Sequence, residues 1–259
     1  MAISELPYLL FYLGDEIYAI SSEFVREMLL TPNVTALPEA AADVRGVINL
    51  RGKVVKVVDL RCRLGMEPLM ELLDSFEKML QLRKQDHINW LNELEDCIRG
   101  KREFKLATNP HECQFGRWYY SFKTSNDVLA KLLPRFEAPH DAIHKTAIEA
   151  LAELYKGAPD KALAIIEERR DTALARMIRL LDNAMQLLRE TNTEITVVLS
   201  SNGKPQAVTV DRVLSVERIP AEYLQDPPDI FGGSRSIFKI GRRKTGELVS
   251  VLDSNSLLY

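Results

Sequence analysis

The sequence lacks any apolar run near the roughly 20 residues that span a bilayer, so it predicts no membrane insertion. Met1–Leu10 has no basic flank before its apolar stretch, and we therefore expect no signal peptide. Only three cysteines are present, which argues against a disulfide scaffold and favours the cytoplasm. The 34 basic and 37 acidic residues leave no basic excess for binding nucleic acid.

The hydrophobic fraction of 46% is ordinary for a globular protein and is sufficient for a packed core. Along the chain the pattern changes twice, from strand-like runs to helical periodicity and back to strand-like runs. The sequence therefore predicts an α+β protein in which a helical insert interrupts a β domain. The predicted limits are 1–68 for the first β part, 69–191 for the insert and 192–259 for the second β part.

Short β-rich runs flank Gly14 and predict a hairpin, and a second hairpin is predicted around Arg51-Gly52-Lys53. Between them, Ser22–Leu30 has apolar residues at helical spacing and predicts a short helix. The second β part contains five predicted strands: Ile195–Leu199, Gln206–Val210, Val213–Val216, Ile237–Ile240 and Leu248–Leu252.

The insert carries stripes of apolar residues at intervals of three and four, which is typical of buried helix faces. The first stripe runs from Leu72 to Ile98 and is followed by Gly100, a suitable helix end. Further helices are predicted over Asp127–Leu133, from Phe136 to Gly157, and from Pro159 onward. Several amphipathic helices with short connections predict a four-helix bundle.

All four histidines of the chain lie in this insert. His87 falls on the apolar stripe of its helix, and His140 and His144 are four residues apart on one helix face. Three imidazoles that point inward need partners. Together with Cys113 they form a set of three nitrogen ligands and one sulfur ligand, which suits zinc better than magnesium or calcium.

The alternative is that each histidine makes an ordinary hydrogen bond in the core. His111 is a rival ligand close to Cys113, but it lies in a polar loop and is interpreted as a bystander. Cys62 and Cys97 are interpreted as structural thiols.

Four protein ligands leave no coordination position for an activated water, which argues against a hydrolase. The sequence also contains no G-x-S-x-G, no Walker phosphate loop and no H-E-x-x-H. The sequence therefore predicts no enzyme and no catalytic residue. A zinc enzyme, in which substrate displaces one histidine, remains as an alternative.

The insert resembles the chemoreceptor zinc-binding domain in three motifs. These are His87-Ile-Asn-Trp90, in which the aromatic residue is displaced by one position onto Trp90, then Cys113-Gln-Phe-Gly-Arg-Trp118, and Pro139-His140-Asp-Ala-Ile-His144. The resemblance implies a helical bundle that holds one zinc ion through His87, Cys113, His140 and His144. It also implies a homodimer through the insert, and zinc or hypochlorous acid as a stimulus acting at Cys113.

The flanking β segments resemble the CheW family of chemotaxis coupling proteins. The likeness lies in Phe11–Ile20, Val44–Gly52, Val57–Arg61, Val210–Glu217 and Val251–Asp253, in that order. Lys56 departs from the family, which usually has proline there. The resemblance implies two small five-stranded β-barrels, interrupted by the zinc-binding insert.

That second resemblance also implies a function. A CheW-like protein would link the tips of chemoreceptors to the histidine kinase CheA in receptor arrays of the bacterial cytoplasm. Arg51 matches the arginine that the family places at the receptor contact, at an exposed hairpin turn where its guanidinium can pair with a partner. The alternatives are that Arg51 is only a solvated turn residue, and that the insert is purely a structural zinc or dimerisation module.

Overall fold

The computed structural model describes residues 7–124, 126–201, 203–227 and 236–258. The first six residues of the segment Met1–Leu10, and Asn202 in the predicted turn before Gln206, lie outside this range. Leu73–Thr191 forms one compact unit, and the described residues before and after it form another. The sequence-derived limits of 1–68, 69–191 and 192–259 remain a proposal.

Among the described residues, the first unit consists of β-strands, two short α-helices and one 3₁₀ turn, Ala221–Tyr223. Its strands are β1 (Pro7–Leu13), β2 (Glu16–Ser21), β3 (Val25–Leu30), β4 (Val44–Leu50), β5 (Lys53–Asp59), β6 (Ile195–Ser201), β7 (Lys204–Val210), β8 (Arg212–Arg218), β9 (Leu224–Gln225), β10 (Ile237–Arg242) and β11 (Leu248–Leu252). The short helices are α1 (Leu60–Arg63) and α8 (Ser254–Leu258).

These strands form a six-stranded sheet of order β8-β1-β2-β11-β10-β9 and a five-stranded sheet of order β3-β6-β7-β5-β4. The prediction of a β domain interrupted by a helical insert is confirmed, but the two predicted five-stranded barrels are wrong, because the strands form two open sheets. Closure requires the outer strands of a sheet to pair with each other. Within the described ranges, neither β8 with β9 nor β3 with β4 does so.

The extra strand is β9, which has two residues and pairs with β10. A run this short leaves no alternation that a sequence pattern could reveal.

A core shared by both sheets holds the first unit together. Its fully buried members include Phe11 of β1, Ile20 of β2, Val58 of β5 and Val197 of β6. Because chain segments before and after the insert both contribute, neither β part can bury its apolar face alone.

The predicted helix at Ser22–Leu30 is wrong, because most of this segment is strand β3. The strand pairs antiparallel with β6, and its side chains alternate between half-buried and exposed. The partner strand supplies hydrogen bonds that local helical spacing does not predict. Met28, one of the apolar residues at helical spacing, is instead exposed.

The second unit is helical. Its helices are α2 (Leu69–Gly100, which begins four residues before the unit), α3 (Gln114–Tyr119), α4 (Asp127–Leu132), α5 (Glu137–Tyr155), α6 (Pro159–Arg169) and α7 (Ala175–Thr191). A single 3₁₀ turn, Leu133–Phe136, leads into α5, and a π-helical turn, Arg170–Leu174, joins α6 to α7. The end of α2 at Gly100 and the start of α6 at Pro159 agree with the sequence predictions.

Ion pairs are among the polar contacts that link α2 with the helical run 159–191. The pairs are Glu77 with Arg189, Lys84 with Asp182, and Glu95 with Arg170. From one pair to the next, the residue numbers on α2 rise from 77 to 95, whereas those of the partners fall from 189 to 170. The two helical segments are therefore antiparallel. The four-helix bundle stays a prediction, because α3 and α4 have only six residues each.

Candidate metal centre

Four side chains of the helical unit converge on one point. His87 lies on α2, Cys113 immediately precedes α3, and His140 and His144 lie on α5. One ligand atom from each of the four, a ring nitrogen or the Cys113 Sγ, lies within 4.8 Å of the others. These are the four residues that the sequence predicted as a set.

Helical spacing explains why three imidazoles point inward. His140 and His144 are one turn apart on α5, beside the fully buried Ile143 and Ala147. The exposed fractions of His87, His140 and His144 are 3%, 0% and 1%. The three rings are therefore almost completely shielded from water.

Backbone carbonyls fix the orientation of two of these rings. The Nδ1 of His87 lies 2.7 Å from the Arg83 carbonyl oxygen, and the Nδ1 of His144 lies 3.1 Å from that of Ala107. A carbonyl only accepts hydrogen bonds, so each Nδ1 must carry the proton. Each Nε2 therefore presents a lone pair, which is the form that binds metals.

These two Nε2 atoms test whether a cation fits. Both are buried and have no hydrogen-bond partner among the described residues, and the Nδ1 of His140 is a third such nitrogen. An unpaired buried group costs roughly 1–3 kcal/mol. A cation on the Nε2 atoms of His87 and His144 would satisfy both, and zinc prefers nitrogen and sulfur ligands. The residues present therefore fit a zinc ion.

The electrostatics keep the imidazoles in the form that binds metal. Burial, reinforced by the neighbouring histidines, lowers the pKa of His140 to about 3. Burial and the neighbouring His87 lower the pKa of His144 to about 4, and burial also lowers the pKa of His87. All three rings are thus neutral near pH 7.

Cys113 caps the N-terminus of α3. Its Sγ accepts a hydrogen bond from the Gly116 backbone N–H at 3.1 Å and lies 3.2 Å from the His140 Nε2. Burial raises the pKa of the Cys113 thiol, while the backbone N–H groups of Gly116 and Phe115 lower it. A bound cation would favour the thiolate further.

Gly116 explains the glycine in the Cys-x-apolar-Gly motif. A Cβ at this position would lie 1.8 Å from the Pro110 carbonyl oxygen, so only glycine fits. The close approach keeps the loop before Cys113 against the first turn of α3.

Aromatic rings enclose the imidazoles. The fully buried Phe115 packs edge-on against His140, with ring centroids 4.8 Å apart. Trp90 packs 5.0 Å from His144, and its Nε1 donates to the Ala107 carbonyl that also accepts from His144. In the first motif the aromatic residue stands one position later than usual, at Trp90 and not at Asn89. Trp90 is buried and Asn89 is exposed, so the shifted aromatic residue is the one that faces the site.

Sequence reasoning missed the carbonyl oxygens of Arg83 and Ala107, which orient two of the rings. No residue type marks such a role, because every residue has a carbonyl.

The remaining histidine and cysteines lie outside the cluster. His111 is exposed, and its ring stacks on Tyr120 with centroids 3.8 Å apart. Cys97 is buried with its Sγ 3.5 Å from the Glu103 carbonyl oxygen, and Cys62 is a half-buried free thiol in α1.

In the β unit, Arg51 occupies the tip of the β4–β5 hairpin. Arg51 and Gly52 form a two-residue loop with φ of 53° and 83°, which matches a type I′ turn. The Arg51 side chain is 81% exposed and pairs with Glu27 at 2.7 Å. It is therefore accessible at the position where the sequence predicted a partner contact.

Comparison with known protein families matches residues 7–88 to the CheW-like domain and residues 87–151 to the chemoreceptor zinc-binding domain. The Chemotaxis protein CheW of Bacillus subtilis is 32% identical over 106 residues, which are 41% of this chain and 67% of that protein. The Probable chemotaxis protein CheW of Rhizobium etli is 43% identical over 58 residues, or 22% of this chain. That match spans only 37% of the Rhizobium protein.

Among solved structures, the scaffolding protein TtCheW from Thermoanaerobacter tengcongensis aligns over 96% of this chain and 89% of its own. The identity is 12% and the TM-score is 0.45, which is too low to establish a shared fold.

Within the described residues, no helix combines the length and apolar character needed to cross a membrane.

Proposed function

This chain belongs to the CheW family, and we propose that it links chemoreceptor tips to the histidine kinase CheA, with one zinc ion bound in its helical insert. The role is a non-enzymatic scaffold at receptor arrays in the bacterial cytoplasm. The match to the zinc-binding domain and the relatives named chemotaxis protein CheW support this proposal.

The observation that carries the zinc site is the convergence of four ligand atoms within 4.8 Å, with two buried Nε2 atoms that lack described partners. We assign His87, Cys113, His140 and His144 as the ligands. The ion would supply binding energy to the helical unit and would hold Cys113 as the thiolate.

Metal content of the purified protein tests this assignment. We expect one zinc per chain in the wild type, and loss of tight binding in His87→Ala and Cys113→Ala. His111→Ala is the matched control, because it removes an exposed imidazole from the same unit and should keep one zinc. Equal zinc in all four proteins would refute the assigned ligands.

We further propose that the state of the zinc site controls how this chain couples chemoreceptors to CheA. Helices α2 and α7 connect directly along the chain to the two β parts. A change in the metal site can therefore reach the chain segments that contain the CheW-like strands. The alternative is that zinc only stabilises the insert.

Kinase assays with receptor, CheA and this chain separate these two roles. If the zinc site controls coupling, chelation of zinc or Cys113→Ala should change CheA autophosphorylation while binding to CheA persists. Identical autophosphorylation in every condition would leave the purely structural role.

An oxidant is the second stimulus that we propose. Cys113 is half-buried, unlike the three imidazoles, and is the ligand that solvent reaches. Its thiolate would take the oxygen of hypochlorous acid, forming sulfenic acid as chloride leaves, so that sulfur is oxidised and chlorine is reduced. Zinc release and sulfenic acid appearing together on oxidation would support this. Retention of zinc after Cys113 is oxidised would contradict it.

A homodimer through the helical insert completes the proposal. Exposed apolar side chains on α5, Ile148 at 64% and Tyr155 at 86% exposure, support an interface there. Sedimentation of the wild type against Tyr155→Glu tests it, and an unchanged monomer at all concentrations would refute it.

A further inference from the structure

The four residues of the metal centre differ in their access to solvent. The three imidazoles are buried, whereas Cys113 is only half-buried. An ion that enters or leaves must therefore pass beside Cys113. The residues around this sulfur form the mouth of the site.

His111 lies at this mouth. Its Cα is 3.2 Å from the position that a Cβ on Gly116 would occupy, and the Gly116 N–H is the group that holds the Cys113 Sγ. The ring of His111 stacks on Tyr120, with an angle of 19° between the ring planes. The loop that carries His111 thus packs on the first turn of α3, which Cys113 caps.

The far side of the mouth comes from α5. The Tyr120 hydroxyl donates to the Glu137 carboxylate at 3.3 Å, and Glu137 precedes His140 by three residues on that helix. His111, Tyr120 and Glu137 therefore form a continuous rim from the Cys113 loop to α5.

His111 lies two residues before the proposed ligand Cys113, in the loop that packs on the first turn of α3. His111 is also exposed, so solvent reaches its imidazole, which is a common zinc ligand. An exposed imidazole on the loop that carries a half-buried sulfur can take one coordination position while a bond to an inner ligand forms or breaks.

We propose that His111 is the transient ligand through which zinc enters and leaves the site, an inference that rests on the proposed zinc ligation by His87, Cys113, His140 and His144. A transient ligand stabilises the intermediate stages of zinc binding and release, and not the final complex. Its removal therefore slows binding and release by the same factor and leaves the dissociation constant unchanged.

Stopped-flow kinetics on the full chain test this inference. Binding is started by mixing metal-free protein with zinc and followed by tryptophan fluorescence, because Trp90 packs against His144. Release is started with excess chelator, at two concentrations that give the same limiting rate. We expect both rates to fall about tenfold in His111→Ala, which corresponds to a barrier about 1.4 kcal/mol higher in both directions.

Lys105→Ala is the matched control, since Lys105 is an exposed residue of the same loop, and its rates should equal those of the wild type. Unchanged rates in His111→Ala would overturn the inference. A large rise in its dissociation constant would also overturn it, since His111 would then be a resident ligand. If the wild type binds no zinc, the proposed function fails instead, so the two failures are distinguishable.

Discussion

Replacing Gly116 by alanine tests how the Cys113 loop is held. The new Cβ would lie 1.8 Å from the Pro110 carbonyl oxygen, whereas Cβ contacts below 3.0 Å are essentially never seen. The loop or the start of α3 must therefore move by about 1.2 Å, the difference between these two distances. Ligand distances at metal sites tolerate deviations of only about 0.2 Å.

A displacement of this size removes the Cys113 Sγ from ligating range, because the Gly116 N–H holds that sulfur. We expect the zinc dissociation constant to rise about 100-fold, at the top of the range for groups that support ligands. Overpacking should also lower the free energy of unfolding of the metal-free protein by about 1–3 kcal/mol.

Competition with a zinc chelator of known affinity measures the first effect, and urea unfolding in chelator measures the second. Gly100→Ala is the matched control, because its Cβ would meet only the Arg102 side chain at 3.8 Å or beyond. Zinc affinity within a factor of two of the wild type in Gly116→Ala would refute the reasoning.

Three further predictions concern other parts of the chain. Trp90→Phe removes one hydrogen bond to the carbonyl that orients His144, so zinc affinity should fall about tenfold by chelator competition, whereas Trp118→Phe should leave it near wild type. The Arg243 guanidinium and the Ser215 hydroxyl lower the pKa of Glu217, so this carboxylate stabilises the β unit above its unfolded pKa near 4.5, and the contribution disappears as the pH falls through the lower folded value. Urea unfolding should therefore show Glu217→Gln less stable than the wild type at pH 7, by at most about 1 kcal/mol because solvent screens this partly exposed pair, and the difference should shrink as the pH falls below 4.5. A difference that stays constant as the pH falls would contradict this. Arg51→Ala should weaken receptor binding in pull-down assays while the free energy of unfolding changes by less than about 0.5 kcal/mol, because the ion pair of Arg51 is on the surface. Lys204 is an exposed basic residue at another hairpin, and Lys204→Ala should change neither quantity.

The helical unit was largely predictable because its signals are local. The stripe that ends at Gly100, the start at Pro159 and the pair of histidines one turn apart each lie within one helix or at its end. Periodicity alone could show which side chains share a face. It could not show that Cys113 meets the His pair, and that grouping depended on the spacing of the three motifs.

The β unit was less predictable because its pairing is long-range. Strand β3 pairs with β6, which follows the whole insert in the sequence. The residues near β3 in the sequence therefore gave no sign of this pairing and showed only a helical spacing. The number of strands and the openness of the sheets depend on such pairings, including that of the two-residue β9.

X-ray absorption at the zinc edge of the purified chain tests the central claim most directly. We predict one sulfur at about 2.3 Å and three nitrogens at about 2.0–2.1 Å from a single zinc ion. In Cys113→Ala loaded with added zinc, the sulfur contribution should vanish. A wild-type spectrum without sulfur, or one that needs two or more sulfurs, would contradict a site made by Cys113 and three imidazoles.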